Sequence, residues 1–137
     1  MHQARRARQG RVVARTIQEF GEVLLGAARG GRTVTYGELM RKFHLSRGRR
    51  ISAALGEADR AEHLRGAPGF AAIVVRKDTG YPGGGYFCDL DLPVSLRRPA
   101  SRSTDPRLST EEKDHVRVQQ RRIWDYYGRG KAARITT

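Results

Sequence analysis

The sequence predicts an α+β domain in which three helices lead into a β-hairpin, with a fourth helix added on the C-terminal side. Three observations carry that expectation. Apolar residues recur at helical spacing in three successive stretches between Val13 and Leu64. A continuous apolar run, Phe70 to Val75, follows, and a glycine-rich connection separates it from the short apolar stretch Tyr86-Phe87-Cys88. A capping signature at Ser109 then opens a last amphipathic segment. Helix, helix, helix, strand, loop, strand is the order of a winged helix-turn-helix, with residues 76–85 as the wing.

The first helix is read from Val13, Ile17, Phe20, Leu24 and Ala27, whose spacing of three and four places one stripe on a single face. Gly30-Gly31 marks its end. Thr35-Tyr36-Gly37-Glu38 reads as a capping box, in which Thr35 accepts from the amide of Glu38 and the Glu38 carboxylate reaches back. Leu39, Met40 and Phe43 give that short second helix its apolar face. Ser46 to Arg50 is a turn with Ser46 as the next N-cap, and Ile51, Ala54, Leu55, Ala58 and Ala61 or Leu64 mark the buried stripe of a third helix. Gly66 to Gly69 ends it. In the last segment Ser109 and Glu112 form a second capping box, Val116, Gln120, Ile123 and Tyr127 share a face with Trp124 beside them, and Gly128 is the expected stop. The organisation expected is a flexible basic arm over 1–11, a winged-helix domain over 12–95, and a Pro/Ser/Arg-rich surface loop over 96–108. A C-terminal helix over 109–128, packed on the domain, and a tail over 129–137 complete it.

Length allows one domain with a modest core. Charge says more. The 137 residues hold 27 basic against 14 acidic side chains, a formal charge of +13, and only four of the basic ones are Lys. Such an excess opposes compaction, and its commonest use is a polyanionic partner. Arginine forks onto phosphate and guanine edges as lysine cannot. No stretch approaches the ~18 apolar residues of a spanning helix, and no apolar run of signal-peptide type follows the basic N-terminus. A cytoplasmic protein with no membrane partner is expected.

The charge is concentrated where it is locally unfavourable. Arg47, Arg49 and Arg50 crowd the start of the third helix, where each cation opposes the helix dipole by ~0.3–1 kcal/mol at an exposed site. That placement anticipates an anion. In a helix-turn-helix the second helix of the pair enters the major groove. Ser46, Arg47, Arg49 and Arg50 would then meet base edges, and Lys42, with Arg41, the phosphates. Arg76 and Lys77, at the root of the expected wing, would reach a flanking groove. The partner expected is nucleic acid, with duplex DNA favoured over RNA, bound with a steep salt dependence.

Residues 33–56 (TVTYGELMRKFHLSRGRRISAALG) resemble the DNA-binding half of the alkylguanine-DNA alkyltransferases and their alkyltransferase-like relatives. The resemblance extends over about residues 13–88, and Val34-Thr35-Tyr36-Gly37-Glu38-Leu39 is its most specific stretch. It implies a winged-helix DNA-binding fold. It also implies that Tyr36 presses on a phosphate of the target nucleotide and that Arg50, or Arg49 with a one-residue gap, fills the space a flipped base leaves. The family's Pro-Cys-His-Arg-Val motif is absent. Ala71 stands at the position of the nucleophilic cysteine and Ala72 at that of the activating histidine, so alkyl transfer is not expected.

Other chemistry finds little support. The glycine run 80–85 lacks the Gly-Lys-Ser/Thr of a phosphate-binding loop. Cys88, the single cysteine, excludes an internal disulfide and a cysteine zinc site, and reads as a small apolar residue. Asp89 and Asp91 would share one face of a strand, but no third carboxylate or lysine completes a nuclease centre, and the four histidines lack ligand spacing. No catalytic residue, metal or cofactor is expected. The competing readings are an RNA-binding or ribonucleoprotein component and a DNA-processing enzyme. Trp124, Tyr126 and Tyr127 are read as core rather than as a stacking platform for a single strand.

Overall fold

The computed structural model describes residues 17–45 and 49–136, without the side chains of Arg49 and of 129–136. The expected arm over 1–11, Val13, Ser46 and Arg47 lie outside the described residues. Helix α1 covers residues 17–29 and buries Phe20, Leu24, Ala27 and Ala28, while Ile17 stays exposed. It closes in a Schellman motif: Arg32 N–H reaches Ala27 C=O at 2.9 Å around Gly31, whose φ is +66°. Strand β1 (Val34–Thr35) runs directly into α2 (Tyr36–Phe43). Thr35 caps α2 by accepting the Glu38 N–H at 3.1 Å, as the sequence indicates. His44 ends α2 in the left-handed conformation (φ 54°), and Leu45 N–H closes onto Met40 C=O. Helix α3 (Arg49–Leu64) closes around Gly66 in the same way, with Ala67 N–H on Glu62 C=O. Ile51 and Ala58 form its buried stripe, but Ala61 and Leu64, the two alternatives for its last position, are both exposed.

The chain is α+β and mostly helical, and its sheet differs from the expected hairpin. Strand β2 is confined to Val74–Val75 and pairs parallel to β1, with Val34 opposite Val74 and Thr35 opposite Val75. Ala71–Ile73 form a 3-10 turn instead of the first half of a strand. The cause is local: the Asp59 carboxylate on α3 takes the Phe70 N–H at 2.6 Å, and the Phe70 carbonyl accepts from Ile73 N–H. Tyr86–Cys88, expected as the returning strand, belong to a second 3-10 segment, Gly84–Cys88. A buried apolar run does not by itself distinguish a ladder from a turn.

Helix α4 (Thr110–Thr136) passes through Gly128 rather than stopping there, and the segment expected as a tail is helical as far as Thr136. A helical glycine costs about 1 kcal/mol relative to alanine and does not terminate a helix unless the backbone turns left-handed. Gly128 is not among the positive-φ glycines. Both capping-box hydrogen bonds at the start of α4 are formed: Glu112 N–H to Ser109 Oγ at 3.1 Å and Ser109 N–H to Glu112 Oε1 at 2.9 Å.

The face of α4 read from the sequence is the buried one, through Val116, Gln120, Ile123 and Tyr127. Ile123 and Tyr127 join Phe20, Leu24, Leu39, Phe70 and Ile73 in the main core. Three polar side chains lock α4 in place. Gln120 donates to Ala72 C=O at 3.0 Å, Trp124 Nε1–H to Arg32 C=O at 3.1 Å, and the Tyr127 hydroxyl to Pro68 C=O at 2.7 Å. Val116 packs with Phe87 and Leu92 in a second, smaller core.

The segment 96–108 is not a free linker. Arg98 reaches into the protein and uses Nε and Nη2 on the two Glu112 oxygens at 2.6 and 2.9 Å. Its remaining N–H groups go to the carbonyls of Arg102, Asp105 and Arg107. The guanidinium also lies over the Phe87 ring at 5.1 Å.

Candidate nucleic-acid interface

The parallel pairing of two short strands sets the geometry of the candidate site. Because Thr35 lies opposite Val75, the residues that follow them, Tyr36 and Arg76, leave the sheet at the same end. Tyr36 opens α2 half-buried, and its oxygen accepts the backbone N–H of Gly83 at 3.2 Å. Burial raises the Tyr36 pKa, while the Gly83 N–H and the positive charge of Arg76 work the other way. The net shift is upward, so the hydroxyl keeps its proton at neutral pH.

The glycine-rich connection that supplies Gly83 is a built turn. Arg76 N–H bonds Tyr81 C=O at 2.9 Å, Gly80 N–H returns to Arg76 C=O at 2.8 Å, and Thr79 Oγ1 accepts from Tyr81 N–H at 3.1 Å. Gly80 takes φ +74°, a conformation glycine adopts without steric cost. The Arg76 guanidinium is held by Asp78 through Nε at 2.9 Å and Nη2 at 2.7 Å. That hydrogen-bonded pair lowers the Asp78 pKa and raises that of Arg76. Nη1 of Arg76 remains unused among the described residues. Lys77 beside it is exposed.

The second group of cations lies along α2 and α3. Arg41 and Lys42 occupy the last turn of α2 and are exposed. Arg41 leans back onto Gly37 C=O at 3.3 Å, and Lys42 rests against the Phe43 ring. The first turn of α3 contains no acidic residue. Arg50 is exposed there and makes no ion pair among the described residues. Arg49 is helical, but its side chain lies outside the described residues. Of the residues singled out in the sequence, Tyr36 and Arg76 are brought together.

The positions considered for chemistry sort differently. Ala71 begins the 3-10 turn and carries no nucleophile. Cys88 is free and half-buried, with its sulfur 3.9 Å from the carbonyls of Gly84 and Pro99. Asp89 and Asp91 are not on a strand: Asp89 Oδ1 accepts the Asp91 N–H at 2.9 Å in a tight turn. No group of His, Cys, Asp and Glu among the described residues is arranged to hold a metal ion. No described helix is long and apolar enough to cross a membrane.

Two further titrating groups face the interior beside these segments. Burial pushes the Tyr86 phenol up to about 12, and its oxygen lies 3.4 Å from His115 Nε2. Burial also raises Asp59, against the opposing pull of the Phe70 N–H.

Three groups in this picture are not distinguished by the sequence. Gly83 is one of six residues in a glycine-rich run, and only its contact with Tyr36 separates it from Gly84 and Gly85. Arg98 has three arginine neighbours, Arg97, Arg102 and Arg107, within ten residues in the same loop. Asp59 sits on a polar helix face and becomes a cap only when residues 69–71 fold over it. The chain matches no protein-family model, and neither a curated protein nor a solved structure shows significant similarity to it.

Proposed function

We propose that the chain is a non-catalytic nucleic-acid-binding protein whose preferred partner is duplex DNA, held along α2, the start of α3 and the 76–85 turn. The observation that carries this reading is the first turn of α3. It begins with Arg49 and Arg50, has no acidic residue, and leaves Arg50 exposed without an ion-pair partner among the described residues. Arg98, which serves the fold, is by contrast paired with Glu112. An unpaired cation at the positive end of a helix is useful when an anion arrives.

In this reading α2 and α3 act as a helix-turn-helix. Arg47, Arg49 and Arg50, with Ser46, face the major groove. Lys42 and Tyr36 meet the phosphate backbone. Arg76 and Lys77 extend the contact from a compact turn that stands where a winged helix carries its hairpin. The resemblance of 33–56 to the alkyltransferase-like proteins favours the same partner, and Ala71 in place of a nucleophile favours binding without chemistry. A cytoplasmic location accompanies such a role.

Competition at one fixed ionic strength tests the choice of partner. A labelled mixed-sequence duplex is displaced by unlabelled duplex at lower concentration than by a structured RNA of equal charge. Displacement by RNA at the lower concentration overturns the DNA reading in favour of an RNA partner. Absence of binding to either overturns the function.

A further inference from the structure

The 76–83 turn fixes the Tyr36 hydroxyl in a defined orientation, and that orientation limits what the hydroxyl can bind. A tyrosine oxygen offers two acceptor sites and one donated proton. In this fold the Gly83 N–H, 3.2 Å away, already occupies one acceptor site. The hydroxyl proton has no acceptor among the described residues, so it remains to be offered to a ligand. Arg76 leaves the parallel strand pair at the same end as Tyr36, one residue beyond the Thr35–Val75 partners, and Asp78 holds its guanidinium through Nε and Nη2, with Nη1 unused among the described residues. A proton donor and a neighbouring cation, both held by backbone and side-chain bonds, suit an anionic oxygen acceptor.

We infer that Gly83 is a positioning residue: its backbone N–H orients Tyr36 so that the tyrosine hydroxyl and Arg76 together engage one phosphodiester group of the bound nucleic acid. The inference rests on the nucleic-acid-binding reading above and adds a residue and a geometry to it. Tyr36 and Arg76 then serve one phosphate from one built corner, rather than contacting separate parts of the duplex. Ordering both groups before binding lowers the entropy lost on association.

The backbone at Gly83 permits a direct test. Its φ of −66° and ψ of 164° are values proline adopts. Gly83→Pro therefore removes the N–H without demanding a new φ, and the ring carbon that replaces the hydrogen displaces the phenol. Gly83→Ala retains the N–H, and its Cβ would meet the Tyr36 hydroxyl at an ordinary 3.8 Å. Affinity for a mixed-sequence duplex is measured for Tyr36→Phe, Gly83→Pro, Gly83→Ala and the double variant Tyr36→Phe/Gly83→Pro, each checked for folding by thermal melting.

Tyr36→Phe and Gly83→Pro should each weaken binding about tenfold, the scale of one hydrogen bond to a charged group. The double variant should be no weaker than either single one, and Gly83→Ala should lose distinctly less than Gly83→Pro. A measurement on the native residue at 83 covers the case in which Gly83→Pro does not fold. Hydrogen exchange at the Gly83 amide should be slow in the wild-type protein and at least tenfold faster in Tyr36→Phe.

Losses that multiply in the double variant, or unchanged exchange at Gly83, overturn the positioning role while leaving nucleic-acid binding intact. An unaffected Tyr36→Phe does the same. A wild-type protein that binds no duplex overturns both this inference and the function on which it rests.

Discussion

Arg98 and Arg50 are the same residue type in opposite circumstances. Arg98 is about 8% exposed at its side chain, and its guanidinium donates to a carboxylate and three carbonyls. Arg50 stands exposed at the start of α3 with no acid in the same turn. The first ties a loop to the start of α4 and has no bonding capacity to spare. The second makes no side-chain hydrogen bond or ion pair among the described residues. In a chain with 27 basic residues, this difference separates charge engaged within the fold from charge that meets no counter-ion among the described residues.

Breaking the structural half of the comparison should have the largest effect. Arg98→Ala leaves Glu112 buried without its counter-ion and three carbonyls without a donor, and should destabilise the fold by about 3–5 kcal/mol in denaturant titration. The same pair gives an acid limb. Burial raises Glu112, but the Arg98 guanidinium and the Ser109 N–H outweigh it and hold the carboxyl below its ordinary value. The stability it contributes is therefore full above the unfolded value of about 4.3 and falls away as pH drops through the lower folded value. Arg98→Ala should flatten that limb. A melting profile with the same acid dependence in both proteins would mean the pair is not formed.

A smaller loss is expected where the bonds of Arg98 meet the second core, at Phe87. A Cβ added to Gly84 would fall on the Ser103 carbonyl and press on Arg98 Nη1. Gly84→Ala should cost roughly 1–3 kcal/mol by forcing the two loops apart. An unchanged melting temperature would show that the 84–88 and 100–103 segments are not packed as described.

Asp59 gives an effect of opposite sign and lesser size. Its pKa is raised, chiefly by burial and against the pull of the Phe70 N–H. The stability linked to its protonation is fully present below the unfolded value of about 3.9 and is lost as pH rises through the higher folded value. Asp59→Asn can keep an oxygen for the Phe70 N–H while abolishing the titration. It should remove this dependence and leave neutral-pH stability equal or slightly higher. A marked loss at neutral pH would show that the charge itself supports the 69–71 turn.

The helices were more legible than the sheet, for a physical reason. A helix face repeats within one segment, so Val116, Gln120, Ile123 and Tyr127 declare the buried side of α4 without knowledge of what covers them. Caps are equally local, and Thr35 and Ser109 could be read from four residues each. The sheet depends on partners 40 residues apart. The run 70–75 looks like a strand until Asp59 takes its first amide, and β2 pairs with Val34–Thr35 rather than with Tyr86–Cys88. Helix length was misjudged for a related reason, since Gly128 ends a helix only if the backbone turns left-handed there.

The candidate site divides along the same line. Tyr36, Lys42, Arg50, Arg76 and Lys77 carry their chemistry in their side chains and stand out in the sequence. Gly83 contributes a backbone N–H, which Gly84 and Gly85 beside it also have. Its role exists only because the 76–81 turn closes and delivers it to Tyr36.

The salt dependence of duplex binding, measured for wild type and for Arg50→Ala beside their thermal stability, tests the comparison most directly. Exposed and without an ion pair among the described residues, Arg50 should be removable with less than about 0.5 kcal/mol change in stability. Its loss should weaken binding and reduce the slope of log K against log salt by about 0.9 if it meets a phosphate, or weaken binding at nearly constant slope if it meets a base edge. A variant that binds as tightly as wild type at every salt concentration would contradict the account. So would one that unfolds, because Arg50 would then belong with Arg98 among the charges that build the fold.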